Sequence, residues 1–174
     1  PPTQKAINLG IRPSLSVDVE TSVPNDFFTQ MRTVFSLQKN EVWARRLAGD
    51  KDPPKFLTVR EVLEFATIEG ARANGVDKKC GTLTPGKEAD IVLINTNDVH
   101  LYPKHNAFTT IVEGAHIGNV DTVFIAGELR KWRGKLTSPL LGRNMEKLRQ
   151  IVDESRDHLF TATKWPLGKI DFSD

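Results

Sequence analysis

The spacing of apolar residues changes partway along this chain, and that change limits what it can fold into. Up to Gly75 they fall three and four apart, as on a helix face: Phe27, Phe28, Met31, Val34, Phe35 and Leu37, then Val59, Val62, Leu63, Ala66 and Ala73. Beyond that point they gather in short runs: Ile91-Val92-Leu93-Ile94, then Val120, Thr122, Phe124 and Ile125. Packed helices followed by short strands predict α/β material joined to a small β module.

The signals between these runs place the elements. Gln4 to Leu9 read as a short helix ended by Gly10, and residues 14–18 alternate as a strand that ends at Asp18. Asn25 or Asp26 can N-cap the helix that carries Phe27 to Leu37, and a second helical piece is expected from about Glu41 to Ala48. Thr58 and Glu61 have the spacing of a capping box, opening a helix that Gly75 ends. The uninterrupted run Ile91 to Ile94 predicts a strand covered on both faces. Ala126-Gly127 reads as a tight turn between two hairpin strands, the second being Glu128 to Trp132. From about Arg143 to Phe160 a helix returns, with Met145, Leu148, Ile151, Val152 and Leu159 on one face, before an irregular tail from Thr161.

Composition narrows the function classes. With 174 residues and 39% hydrophobic content the chain can bury a sizeable core. Its formal charge of +2 gives no long-range pull toward nucleic acid or acidic membranes. The single cysteine, Cys80, cannot form an internal disulfide and reads as a small packed or partly exposed thiol, which fits a reducing cytoplasmic setting. No apolar stretch approaches the ~20 residues of a membrane span, and the start, Pro1-Pro2-Thr3-Gln4, has no signal-peptide pattern. It reads as the middle of a protein.

The segment Gly81-Thr82-Leu83-Thr84-Pro85-Gly86-Lys87-Glu88-Ala89-Asp90-Ile91-Val92-Leu93-Ile94 has a Pro-Gly reversal, a small alanine and an aspartate before a buried-type strand. It resembles the segment by which metal-dependent amidohydrolases leave their barrel and re-enter their small β domain. Ala66-Thr67-Ile68-Glu69-Gly70-Ala71 before it resembles the same family, as does Asn119-Val120-Asp121-Thr122-Val123-Phe124-Ile125-Ala126-Gly127 after it, with Gly134-Lys135 beyond. The three segments stand in the family's order across roughly residues 66–136, and the strand ending at Asp18 extends the match. The resemblance is closest to the cytosine-deaminase-like branch, which includes guanine, adenosine-derivative and triazine hydrolases.

This resemblance implies a C-terminal fragment of a (β/α)8 barrel, its last strand and helices, over residues 1–75. It further implies part of a small composite β-sandwich over residues 76–136, with a C-terminal helix and tail over 137–174. It implies that Asp18 is both a metal ligand and a catalytic residue, handling the proton of the attacking water, because barrel sites lie at the C-terminal ends of strands. Taken by itself, an aspartate there instead caps the helix that begins near Asn25. One divalent metal, zinc or iron, is implied for the full-length enzyme, not held tightly by this chain alone.

Other polar residues carry less. Glu20 lies two residues beyond Asp18 and reads either as part of a pocket mouth or as a solvated loop residue, and Thr21 and Ser22 as possible substrate contacts. No substrate-binding residue is assigned. The family's histidine ligands lie upstream of the strand that ends in the aspartate. His100, His105, His116 and His158 all lie downstream, so none is carried over. Arg130, Lys131, Arg133 and Lys135 around Trp132 read as solvated guards of a hairpin edge, the alternative being a nucleic-acid patch.

The function so implied is hydrolysis of a non-peptide C–N bond in a small heterocyclic substrate, with neither nucleic acid nor membrane as partner. The isolated chain is expected to be inactive, and to associate with the missing N-terminal barrel portion or with itself. The alternative is a non-catalytic scaffold or interaction module that retains the small domain.

Overall fold

The structure, a computed structural model, describes residues 2–19, 25–138 and 141–163. Residues 1–135 cluster as one compact unit and residues 136–174 as another. The first unit begins with α1 (Thr3–Asn8) and α2 (Phe27–Leu47). Asp26 N-caps α2: its carboxylate accepts from the Phe28 amide at 2.9 Å and from the Thr29 hydroxyl at 2.5 Å.

Two helices were expected where α2 runs unbroken. No glycine or proline interrupts residues 27–47, and Gln38 and Val42 continue the buried row of Met31, Val34 and Phe35. The Gln38 amide ties three segments together. Its Nε2 donates to Gln4 Oε1 at 2.7 Å and to the Lys55 carbonyl at 2.9 Å, and its Oε1 accepts from the Leu57 amide at 3.0 Å. The hydrogen bonds made in this way offset the cost of taking the amide out of water. Phe27 and Leu37, expected in the core, are exposed.

The Thr58–Glu61 capping box forms as expected and opens α3 (Val59–Phe65). The single helix expected from there to Gly75 is instead two. At Thr67 the backbone leaves the helical region (φ −129°, ψ −92°), and its hydroxyl donates to the Leu63 carbonyl at 2.7 Å. After the break α4 (Ile68–Ala73) turns a new face inward, so Glu69 and Ala71 are buried and Ala73 is exposed. Phe65, absent from the expected inner face, is buried in the main core with Phe28, Met31, Val34, Phe35, Leu57 and Val62. Gly81 fits tightly behind α4, because a Cβ there would lie 2.7 Å from Ala71 Cβ, and its φ of +87° also suits glycine.

The sheet follows the expected plan. β1 (Ile91–Ile94) pairs antiparallel with β2 (Val120–Ile125), placing Ile91 opposite Phe124, and β2 pairs antiparallel with β3 (Glu128–Trp132). The order is β1-β2-β3-β4, where β4 (Lys135–Leu136) is a short addition. Between β1 and β2 the chain forms α5 (Ala107–Thr109), continued by a π-helical turn, Thr110–Gly114, that brings Val112 and Ala115 into the core.

The expectation that Ile91 to Ile94 is covered on both faces does not hold within this chain. β1 is an edge strand, and Val92 and Leu93 are 54% and 49% exposed. Residues 14–18 also form no ladder with another strand. Their burial alternates, Leu15 and Val17 half-buried and Ser14, Ser16 and Asp18 exposed, so the period of two is present without a partner strand among the described residues.

In the second unit α6 spans Leu141–Thr163, so residues 161–163, expected in an irregular tail, are helical. Met145, Leu148, Ile151, Val152 and Leu159 on it are exposed. The remainder of that tail lies outside the described residues. Among those described, no helix is long and apolar enough to cross a membrane.

Candidate functional site

Asp18 sits where an alternating segment leaves the core. Leu15 packs against the core cluster, and its amide donates to the Phe65 carbonyl at 3.2 Å. Upstream, the Arg12 guanidinium donates from Nε to Glu69 at 2.6 Å and from Nη2 to Glu64 at 2.8 Å, which fixes the start of the segment to α3 and α4. At Asp18 the backbone turns left-handed (φ 62°), and its amide donates to the Ser16 hydroxyl at 3.1 Å. Aspartate tolerates this conformation better than most residues. Its carboxylate is exposed and has no hydrogen-bond partner among the described residues. The competing role, capping the next helix, belongs to Asp26.

Glu69 is the buried acid behind this segment, 6% exposed and held by Arg12 and by Arg72, the latter at 2.8 Å. Burial raises its pKa, but the hydrogen bonds from Arg12 and then Arg72 outweigh that, and the carboxyl lies below its ordinary value. Both arginines also attract it electrostatically. This is a structural network in which both arginines donate to the same oxygen, Glu69 Oε1.

Glu20, Thr21 and Ser22 lie outside the described residues. His105 is exposed in a loop and His158 is exposed on α6. His100 and His116, 16 positions apart, come together with their rings stacked at a centroid distance of 5.0 Å, beside Asp98. No sequence spacing signals this meeting, because it depends on how the 98–119 segment folds back on itself. Cys80 is a free, half-buried thiol. Arg130 is exposed and pairs with Glu128 at 2.5 Å, as expected of a solvated hairpin edge.

The Amidohydrolase family profile matches residues 1–130. The chain is 31% identical over 136 residues to a 5-methylthioadenosine/S-adenosylhomocysteine deaminase of Moorella thermoacetica, covering 78% of this chain and 30% of that protein. It is 35% identical over 136 residues to a 5'-deoxyadenosine deaminase of Methanothermobacter thermautotrophicus, covering 78% of this chain and 29% of that one. Among solved structures it superposes on an adenosine deaminase from Xanthomonas campestris with bound zinc, at TM-score 0.69 and 25% identity, over 87% of this chain and 33% of the other. This chain belongs to the amidohydrolase family. It spans about a third of the length of the relatives it matches.

Proposed function

We propose that this chain is the C-terminal part of a metal-dependent deaminase acting on a 5'-modified adenosine or a related aminated heterocycle. In this reading residues 1–75 supply the last strand and helices of a (β/α)8 barrel, residues 76–136 part of a small β-sandwich, and residues 137–174 a C-terminal helix and tail. The relatives' names support the substrate class. The observation that carries the site is Asp18: an exposed carboxylate without a hydrogen-bond partner among the described residues, ending an alternating segment inside the family match.

The donor chemistry fits a zinc or iron centre in part. A carboxylate oxygen is a suitable ligand, but a catalytic zinc takes three or more protein ligands, and Asp18 is one. It therefore completes a set whose other members lie in the rest of the enzyme. When bound, the divalent ion acidifies water and polarises the carbon under attack. Asp18 takes the proton given up by the attacking water and passes it to the departing nitrogen, which leaves as ammonia. Asp18 by itself does not make such a centre, so the chain alone should be catalytically silent. Its partners are the small heterocycle and the remaining barrel, and the lone Cys80 suits a reducing cytoplasm.

The test is Asp18→Asn in the full-length enzyme, assayed with a 5'-modified adenosine. Turnover should fall by about two to four powers of ten while the melting curve stays close to wild type. Near-wild-type turnover would remove Asp18 from the chemistry.

A further inference from the structure

We propose that Asp98, His100 and His116 form a surface site for one divalent transition-metal ion of the zinc type. Asp98 precedes the short turn Val99–Leu101 that contains His100, and His116 caps the turn Ile117–Asn119 that leads into β2. One ligand-capable atom from each residue lies within 4.8 Å of the other two. Around a tetrahedral ion with bonds near 2.0–2.2 Å, ligand atoms sit roughly 3.4 Å apart. The remaining closure is small, and the exposed side chains can supply it by rotation. Two imidazole nitrogens with one carboxylate oxygen suit a borderline ion such as zinc, whereas magnesium and calcium prefer oxygen throughout.

Asn119 distinguishes this from a chance meeting of surface residues. It is almost fully buried. Its Nδ2 donates to Asp98 Oδ2 at 2.5 Å, and its Oδ1 accepts from the His116 amide at 3.0 Å. Its backbone is fixed as well: its amide donates to the His116 carbonyl, and its carbonyl accepts from the Asn95 amide at 2.7 Å. One buried side chain thus sets both the carboxylate and the histidine backbone, the role that outer residues play in orienting metal ligands, and Asp98 Oδ1 is left for an ion. His116 Nδ1 accepts from the Gly118 amide at 3.0 Å. Coordination through Nδ1 replaces that amide, which is exposed and turns to water. The ring lies against Gly118, where a Cβ would come within 2.7 Å of it.

The experiment is equilibrium dialysis of the full-length protein against zinc, with magnesium in excess, followed by metal analysis. Wild type should hold one zinc equivalent more than His100→Ala or Asp98→Asn at the same free zinc, with affinity for that equivalent lowered at least tenfold. Gly118→Ala keeps all three ligands but pushes the His116 ring aside, and should weaken the same equivalent. His158→Ala should bind as wild type does. Asp18→Asn should leave the His100-dependent equivalent in place, so the two readings stand or fall separately. Equal zinc content in wild type and His100→Ala overturns the proposal, as does displacement of that equivalent by magnesium.

Discussion

At the scale of single residues, Glu69 shows how a buried acid ties the segment after α1 to α4. It is buried, and its two arginine partners are 43% and 56% exposed, so the pairs are partly screened. Hydrogen bonds to charged groups contribute about 1.5–3 kcal/mol, and with that screening Glu69→Gln should cost about 1–2 kcal/mol in urea denaturation. The pH dependence has a definite sign. The folded-state pKa lies below the ordinary 4.5, so the carboxylate's contribution is complete above that value and is lost as pH falls through the folded value. The gap between wild type and Glu69→Gln should therefore be constant near neutral pH and close on acidification below about 4.5. A gap independent of pH would mean that charge is not what Glu69 contributes. The alternation of residues 14–18 was legible in the sequence because a period of two is a local feature, whereas the absence of a partner strand among the described residues was not. The buried acid Glu69 was legible only as a motif letter, since Arg72 lies three residues on along the same helix but Arg12 is 57 positions away and meets it only in the fold.

At the scale of elements, the hairpin explains why an aspartate precedes β1. Ala126 and Gly127 both have positive φ, 50° and 80°, the conformation of a type I′ turn. The Asp90 carboxylate accepts from the Ala126 amide at 2.8 Å, and the Ala89 carbonyl accepts from the Gly127 amide at 3.1 Å. The entry to β1 therefore caps the β2–β3 turn. Asp90→Ala should cost about 0.5–1.5 kcal/mol. An alanine in the left-handed region is strained by roughly 1–2 kcal/mol, and asparagine is better tolerated there, so Ala126→Asn should raise stability by about 0.5–1 kcal/mol. Denaturant midpoints of the two variants check both signs, and a destabilised Ala126→Asn would mean that the turn is not held as described. The tight turn and both its strands were readable from local residues. The helices were less so: two were expected across residues 27–48, and the burial of Gln38 against Gln4, Lys55 and Leu57 lies within the one continuous helix that forms. Thr67 looked helical until its hydroxyl took the Leu63 carbonyl. Both outcomes depend on contacts that periodicity does not encode.

At the scale of the whole molecule, the unpaired side of the sheet is the consequential feature. β1 is an edge whose residues read as a core strand, Ile91-Val92-Leu93-Ile94, with no charge or proline to discourage another strand from pairing. At the other edge β4 ends the sheet in two residues, one of them Lys135, and β3 before it carries Arg130 and Lys131, so that side is guarded. A strand with the composition of a covered one, left half-exposed, favours association through its backbone and its apolar face. A second copy of the chain offers the same strand as a partner. The 174-residue chain should therefore sediment as a species larger than 19.5 kDa, by an amount that grows with concentration. Leu93→Lys places a charge on the half-exposed strand without entering the buried core, and it should shift the distribution toward monomer. The test is analytical ultracentrifugation of both proteins over a concentration series. A wild-type chain that stays monomeric throughout would show that the exposed β1 edge is tolerated in solution, and association unchanged by Leu93→Lys would place the contact on another surface.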